Sequence, residues 1–140
     1  MTQDLVLRIV AKLLIPFIVL FAAYVQFHGD FGPGGGFQAG VIAAAAVIFF
    51  ALIHGLRRTR EFVPDWIVET MVAAGVLLYA LVGLAGIVLG GNYLDYFVLG
   101  ATSVDGQHRG VFWVEIGVAI TVSGVMLKVF YMFVARRLEE

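Results

Sequence analysis

The chain has 140 residues, no cysteine, 61% hydrophobic residues and only 14% charged ones. A soluble domain of this length carries about 25% charged residues, so the composition excludes an ordinary water-soluble fold. The lack of cysteine excludes a disulfide framework, a thiolate metal site and a cysteine nucleophile.

Four apolar runs follow one another, at about residues 5–27, 35–56, 66–89 and 111–134. Each exceeds about 20 residues, enough to cross a hydrocarbon core of about 30 Å as a helix. The expected fold is therefore all-α, a single membrane domain of four transmembrane helices over residues 1–140. Arg8 and Lys12 open the first run in the manner of a signal peptide. The run is too long for one, and no small-residue cleavage site follows it.

Between the first two runs lies FGPGGGFQAG, Phe31 to Gly40. A phosphate-binding loop needs a strand before its glycines and a lysine with Ser or Thr after them; here an apolar helix precedes them, and Phe37 and Gln38 follow. The reading is a tight re-entry turn. Pro33 fixes φ, Gly34 and Gly35 supply conformational freedom, and the second helix begins at once. Gly32, Gly36, Gly40 and Ala44 recur every fourth residue. On a helix, Gly36, Gly40 and Ala44 form a smooth stripe that admits a second helix closely. Either the first helix or a helix of another subunit fits that stripe.

The second connection, RRTREFVPDW, places Pro64 to start the third helix, with Asp65 and Glu69 in its first turns where acids suit the helix dipole. The third, from Asn92 to Gly110, mixes Tyr93, Tyr96 and Phe97 with polar turn residues, as at a headgroup interface. Eight of the nine basic residues fall on one side of a four-crossing chain, with Arg109 alone opposite. Basic loops stay inside, so both termini are expected in the cytoplasm and the glycine turn outside.

Ionisable residues at membrane depth default to functional hypotheses. With a helix beginning at Val111, Glu115 falls about one turn inside it, where the positive helix end favours the ionised carboxylate. Glu69 lies at similar depth from the other side, Lys12 and Lys128 are within snorkelling distance of that face, and His54 closes the second helix there. None is at the bilayer centre, so an ion carrier complete in itself is not expected. A local relay by Glu115 or His28 stands beside plain structural pairing. His28, His54 and His108 lack metal-ligand spacing, no catalytic constellation or cofactor pattern is present, and no basic patch suits nucleic acid. The chain does not read as an enzyme.

Two stretches carry a family resemblance. GPGGGFQAGVIAAAAVI, after a His-Gly-Asp turn, and FWVEIGVAITVSGVML near the end resemble the MnhB family, the B-type subunits of Mrp-type cation/proton antiporters. Length, four helices and inside termini match as well. The resemblance implies a small subunit of a plasma-membrane complex exchanging Na+ or another monovalent cation for H+. Its partners would be the lipid bilayer and the other membrane subunits, of which two large ones carry the midplane lysines and glutamates. Small subunits complete the assembly, and lining the cation path is a role left open to them. Pro33, Gly34, Gly35, Gly36 and Phe37 match the family's turn motif, and Glu115 its last-helix acid. An equivalent subunit of a membrane-bound hydrogenase-type complex, or a self-contained four-helix carrier or channel, remain the alternatives.

Overall fold

The computed structural model describes the backbone of residues 2–29 and 34–139, and side chains of residues 5–29 and 34–137. Its elements are α1 (Thr2–His28), α2 (Gly36–His54), α3 (Leu56–Phe62), α4 (Asp65–Val88), a 3₁₀ turn (Tyr96–Leu99) and α5 (Ser103–Glu139). Among the described residues, α1, α2, α4 and α5 are long and apolar enough to cross a membrane, and no strand is present.

α5 is the central helix. It packs on α2 along one side and on α4 along the other, while α1 packs on α2. The α1 face that does so carries Ala11 and Ala22, both buried, with Ile15 and Ile18 half-buried between them and Val25 half-buried beyond Ala22. These recur at three- and four-residue spacing, one stripe of an α-helix. Small side chains let the backbones approach, which is how helices gain contact in lipid, where apolar burial supplies no drive.

Two boundaries and one additional helix are the main departures from the hydropathy reading. The second run ends at His54, because Gly55 takes φ 89°, a left-handed conformation that breaks the helix. A separate short helix follows, α3, which buries Leu56 and Thr59 and leaves Arg57 and Arg58 exposed. The largest change is in α5, which begins at Ser103 rather than near Val111. Thr102 Oγ1 accepts the Asp105 N–H at 3.2 Å, and Arg109 pairs with Asp105 at 3.1 Å. Thr-x-x-Asp is a capping pattern that closes a helix start, so the polar octet Ser103–Gly110 is helical although it is not apolar. At 37 residues α5 is about 55 Å long, well beyond the membrane's hydrocarbon thickness.

The extra length is covered by the third connection. The 3₁₀ turn lies against the first turns of α5, where the Tyr96 ring is so near Gly110 that a β-carbon there would sit 2.3 Å from it. At the other end, Ala44, Leu56, Val68, Leu127 and Tyr131 form a buried cluster tying α2, α3, α4 and α5 together. The Tyr131 hydroxyl donates to the Val63 carbonyl at 2.9 Å, and the Arg60 guanidinium lies over the Tyr131 ring and pairs with Asp65 at 3.3 Å.

Candidate functional site

The site is built where α1 ends, α2 begins and α5 passes behind both. The Gly35 N–H donates to the Val25 carbonyl at 3.3 Å, which folds the entry of α2 back onto the last turn of α1. Gly35 has φ 116°, a value that side-chain-bearing residues rarely adopt. The Glu115 carboxylate lies directly against this turn. A β-carbon on Gly35 would be 2.7 Å from Glu115 Oε1, and one on Gly29 would be 2.9 Å from Glu115 Oε2. Glycine is therefore required at Gly35 twice over, once by its dihedral and once by the carboxylate.

Behind the carboxylate, backbone meets backbone. A β-carbon on Gly36 would lie 2.0 Å from the Glu115 carbonyl oxygen, and one on Gly40 would lie 2.7 Å from that of Ala119. Ser123 Oγ donates to the Gly40 carbonyl at 3.0 Å and is 2.7 Å from the Ala119 carbonyl, while Ala44 is fully buried. Glu115, Ala119 and Ser123 are four residues apart, as are Gly36, Gly40 and Ala44, so two helices that run in the same direction mesh in register. The stripe thus packs on α5, not on α1 or on a helix from outside the chain.

Two aromatic pairs flank this end of α1. Phe27 stacks on Phe112 at 6.1 Å, and Tyr24 on His28 at 5.2 Å. Phe37 points away from this contact and is 60% exposed, so within this chain it fills no space. Gly34 is half-buried beside the Val25 carbonyl. Pro33 and Gly32 lie outside the described residues.

One expectation about the charged groups changes. Because α5 starts at Ser103, Glu115 is twelve residues from its N-terminus, about 18 Å along the axis. Helix-dipole effects fade within the first turn, so the dipole of α5 does not act on this carboxylate; its surroundings are the glycine turn instead. At the far end, Glu69 and Lys128 are joined as an ion pair. His54 stacks on Phe50 at 4.4 Å, its Nδ1 3.3 Å from the Phe50 carbonyl. Among the described residues no group of three or more His, Cys, Asp or Glu could hold a metal ion.

Residues that the sequence pattern did not single out also shape the site. Gly29 touches the carboxylate, and Ser123 locks the α2–α5 register. Gln26, one turn before Gly29 on α1, has both side-chain polar atoms buried without a hydrogen-bond partner. An unmet buried amide is costly, and its presence in an apolar run was a signal available from the sequence. The seven-residue spacing of Gly110, Gly117 and Gly124 was another. Gly117 and Gly124 lie against α4, where a β-carbon on Gly75 would meet Thr121 Oγ1 at 2.1 Å.

Comparison with known proteins places this arrangement. Residues 6–128 match the family described as a domain related to the MnhB subunit of the Na+/H+ antiporter. The chain is 31% identical to the Na(+)/H(+) antiporter B subunit of Bacillus subtilis over 131 residues, covering 86% of this chain and 91% of that protein. It is 29% identical to the Na(+)/H(+) antiporter B subunit of Alkalihalophilus pseudofirmus, covering 86% and 90%. It is also 29% identical to a putative antiporter subunit mnhB2 of Staphylococcus haemolyticus, covering 91% and 92%. With most of both chains aligned in each case, this chain belongs to the MnhB family.

Proposed function

We propose that the chain is the B-type membrane subunit of a multisubunit antiporter that exchanges Na+ or another monovalent cation for protons. It sits in the plasma membrane with both termini in the cytoplasm. It acts as a transport subunit and not as an enzyme, and its partners are the larger membrane subunits of the complex. Support for the orientation is the clustering of basic residues at one end of the bundle. Support for the subunit role is the family membership over residues 6–128.

The observation that carries a part in transport is the Glu115 carboxylate held against Gly29 and Gly35. A carboxylate this far along a membrane helix is costly unless its surroundings serve it. The proposed role is a stopping point for a cation or proton near the outer mouth, with Gln26 and the turn of Pro33, Gly34, Gly35, Gly36 and Phe37 shaping its access. Gln26 offers a carbonyl oxygen and an amide in the same region, the groups that hold water or an alkali cation.

The test is made in the intact complex, with Glu115→Gln, Glu115→Asp, Pro33→Gly and Phe37→Ala compared for assembly and for cation-dependent proton exchange in membrane vesicles. Glu115→Gln should assemble normally and lose most exchange, with partial rescue by Glu115→Asp. Full exchange in Glu115→Gln, or loss of exchange only in step with loss of assembly, would reduce Glu115 to a packing residue.

A further inference from the structure

Toward the opposite end from the glycine turn, α1, α2 and the α3 segment border an open-sided apolar groove of about 230 Å³ walled by Ile15, Val19, Val47, Phe50, Phe62 and Val63. That is roughly one and a half times the volume of an apolar cavity known to take up benzene. The walls are hydrocarbon and aromatic edge, with Phe50 and Phe62 meeting edge to face at 5.9 Å. The one hydroxyl among the lining residues, that of Thr59, is used by the Gly55 carbonyl at 3.1 Å. Nothing polar is offered inside.

The rim is the reverse. Arg8, Lys12, Ile15 and Val19 recur at four-, three- and four-residue spacing, so they share one stripe of α1. Along that stripe, apolar wall gives way to cation within two turns, about 10 Å from Val19 to Lys12. Arg8 and Lys12 are both exposed, and the ion pairs among the described residues (Arg60 with Asp65, Arg109 with Asp105, Lys128 with Glu69) leave both out. On α3, whose Thr59 and Phe62 line the groove, Arg57 and Arg58 are exposed beside the single acid Glu61, while Arg60 turns away to Asp65 and Tyr131.

We propose that this is a binding site for an anionic phospholipid, with a segment of one acyl chain in the groove and the phosphate held by Arg8 and Lys12. At about 230 Å³ the slot is too small for a helix and suited to a segment of a single hydrocarbon chain. The order of its surfaces, apolar depth and then clustered cations, is the order of groups in a phospholipid. Basic pockets between membrane helices recognise anionic headgroups in this way. Arg57 and Arg58 strengthen the local field. The inference needs the helices to lie in a membrane and is independent of any role in transport.

The test uses the intact complex in lipid vesicles containing a phosphatidylglycerol with a photoactivatable group in its acyl chain, and the matching phosphatidylcholine. Labelling within residues 15–19, 46–50 and 59–63 should favour the phosphatidylglycerol. Arg8→Gln and Lys12→Gln should each cut that labelling about fivefold, together reducing it to the phosphatidylcholine level, whereas Arg136→Gln with Arg137→Gln should not. Val47→Phe should fill the slot and remove labelling by both probes; if that variant fails to assemble, the two exposed rim positions still decide. Equal labelling by the two lipids, labelling unmoved by the rim changes, or no labelling because a neighbouring subunit occupies the slot would each overturn the site.

Discussion

Gly36→Ala gives the sharpest test of how α2 sits on α5. The added β-carbon would lie 2.0 Å from the Glu115 carbonyl oxygen, 2.8 Å from its carbonyl carbon and 2.9 Å from its α-carbon. All three are backbone atoms of a helix, so no side chain can swing aside. Relief to a bare contact near 3.0 Å needs α2 and α5 to part by about 1 Å, and misfit of this kind costs about 1–3 kcal/mol or more. Alanine returns up to about 1 kcal/mol of helix propensity, less at the first residue of a helix, so the net effect is a loss. Gly40→Ala is the internal comparison. Its β-carbon would be 2.7 Å from the Ala119 carbonyl oxygen, needing a shift of only a few tenths of an ångström, and it should be milder. Thermal melts of the detergent-purified complex, with the content of this chain measured in parallel, should rank parent above Gly40→Ala above Gly36→Ala, and leucine at both positions should prevent assembly. A Gly36→Ala complex that melts with the parent and retains this chain in full would refute the close contact.

The remaining predictions concern other parts of the bundle. In a double-mutant cycle, Glu69→Gln and Lys128→Gln should couple by about 0.2–1 kcal/mol, the range for well-exposed pairs, measured as shifts in the same melts. Single cysteines placed at Ser103 and Arg58 of this cysteine-free chain should react with impermeant maleimide from opposite sides of the membrane, Ser103→Cys from outside; labelling of both from one side would refute the four-crossing path. Burial, and then the neighbouring Tyr79 and Tyr93, hold the Tyr96 phenol above its ordinary value of 10.0. The folded chain therefore keeps that proton longer than the unfolded one, so stability is intact below pH 10.0 and falls as pH rises past it. Tyr96→Phe should remove that part of the alkaline loss in a melt series.

The parts of this fold that were legible in the sequence are those governed by hydropathy and by glycine spacing. Four apolar runs gave four helices because only helices satisfy their own backbone in lipid, and the Gly36–Gly40–Ala44 spacing announced a close helix contact. Hydropathy marks where a chain meets hydrocarbon, however, not where a helix stops. The start of α5 was written instead in Thr102 and Asp105, whose capping contact carries the helix about two turns beyond the apolar run. Nor does a smooth stripe name its partner. α1 lies nearest to α2's stripe in sequence, but α1 uses its own face of Ala11 and Ala22, and the stripe goes to α5, some 80 residues away, as the Ser123 to Gly40 hydrogen bond records. Hydropathy placed Glu115 near the outer end and next to a helix terminus; what surrounds it is a turn from the other end of the chain.

That turn explains why packing and charge are joined at this site yet separable by experiment. α5 carries Gly117 and Gly124 toward α4, and Glu115, Ala119 and Ser123 toward α2. The backbone of Glu115 is pressed on Gly36, while its carboxylate extends past the end of α2 to Gly35 and Gly29. The level of the carboxylate is therefore set by the register of two glycine-lined backbones and not by its own side chain. Removing the charge with glutamine keeps every contact made by the Glu115 backbone, so the register and the assembly should survive. Adding a methyl group at Gly36 keeps the charge but lifts α2 from α5, and carries Gly35 away from the carboxylate. If the carboxylate acts only where the turn holds it, Gly36→Ala must weaken exchange through stability and position together, whereas Glu115→Gln must weaken it at constant stability. A membrane helix bundle with so few charged groups at depth has little reason to set two glycines against one carboxylate unless that carboxylate is used in place.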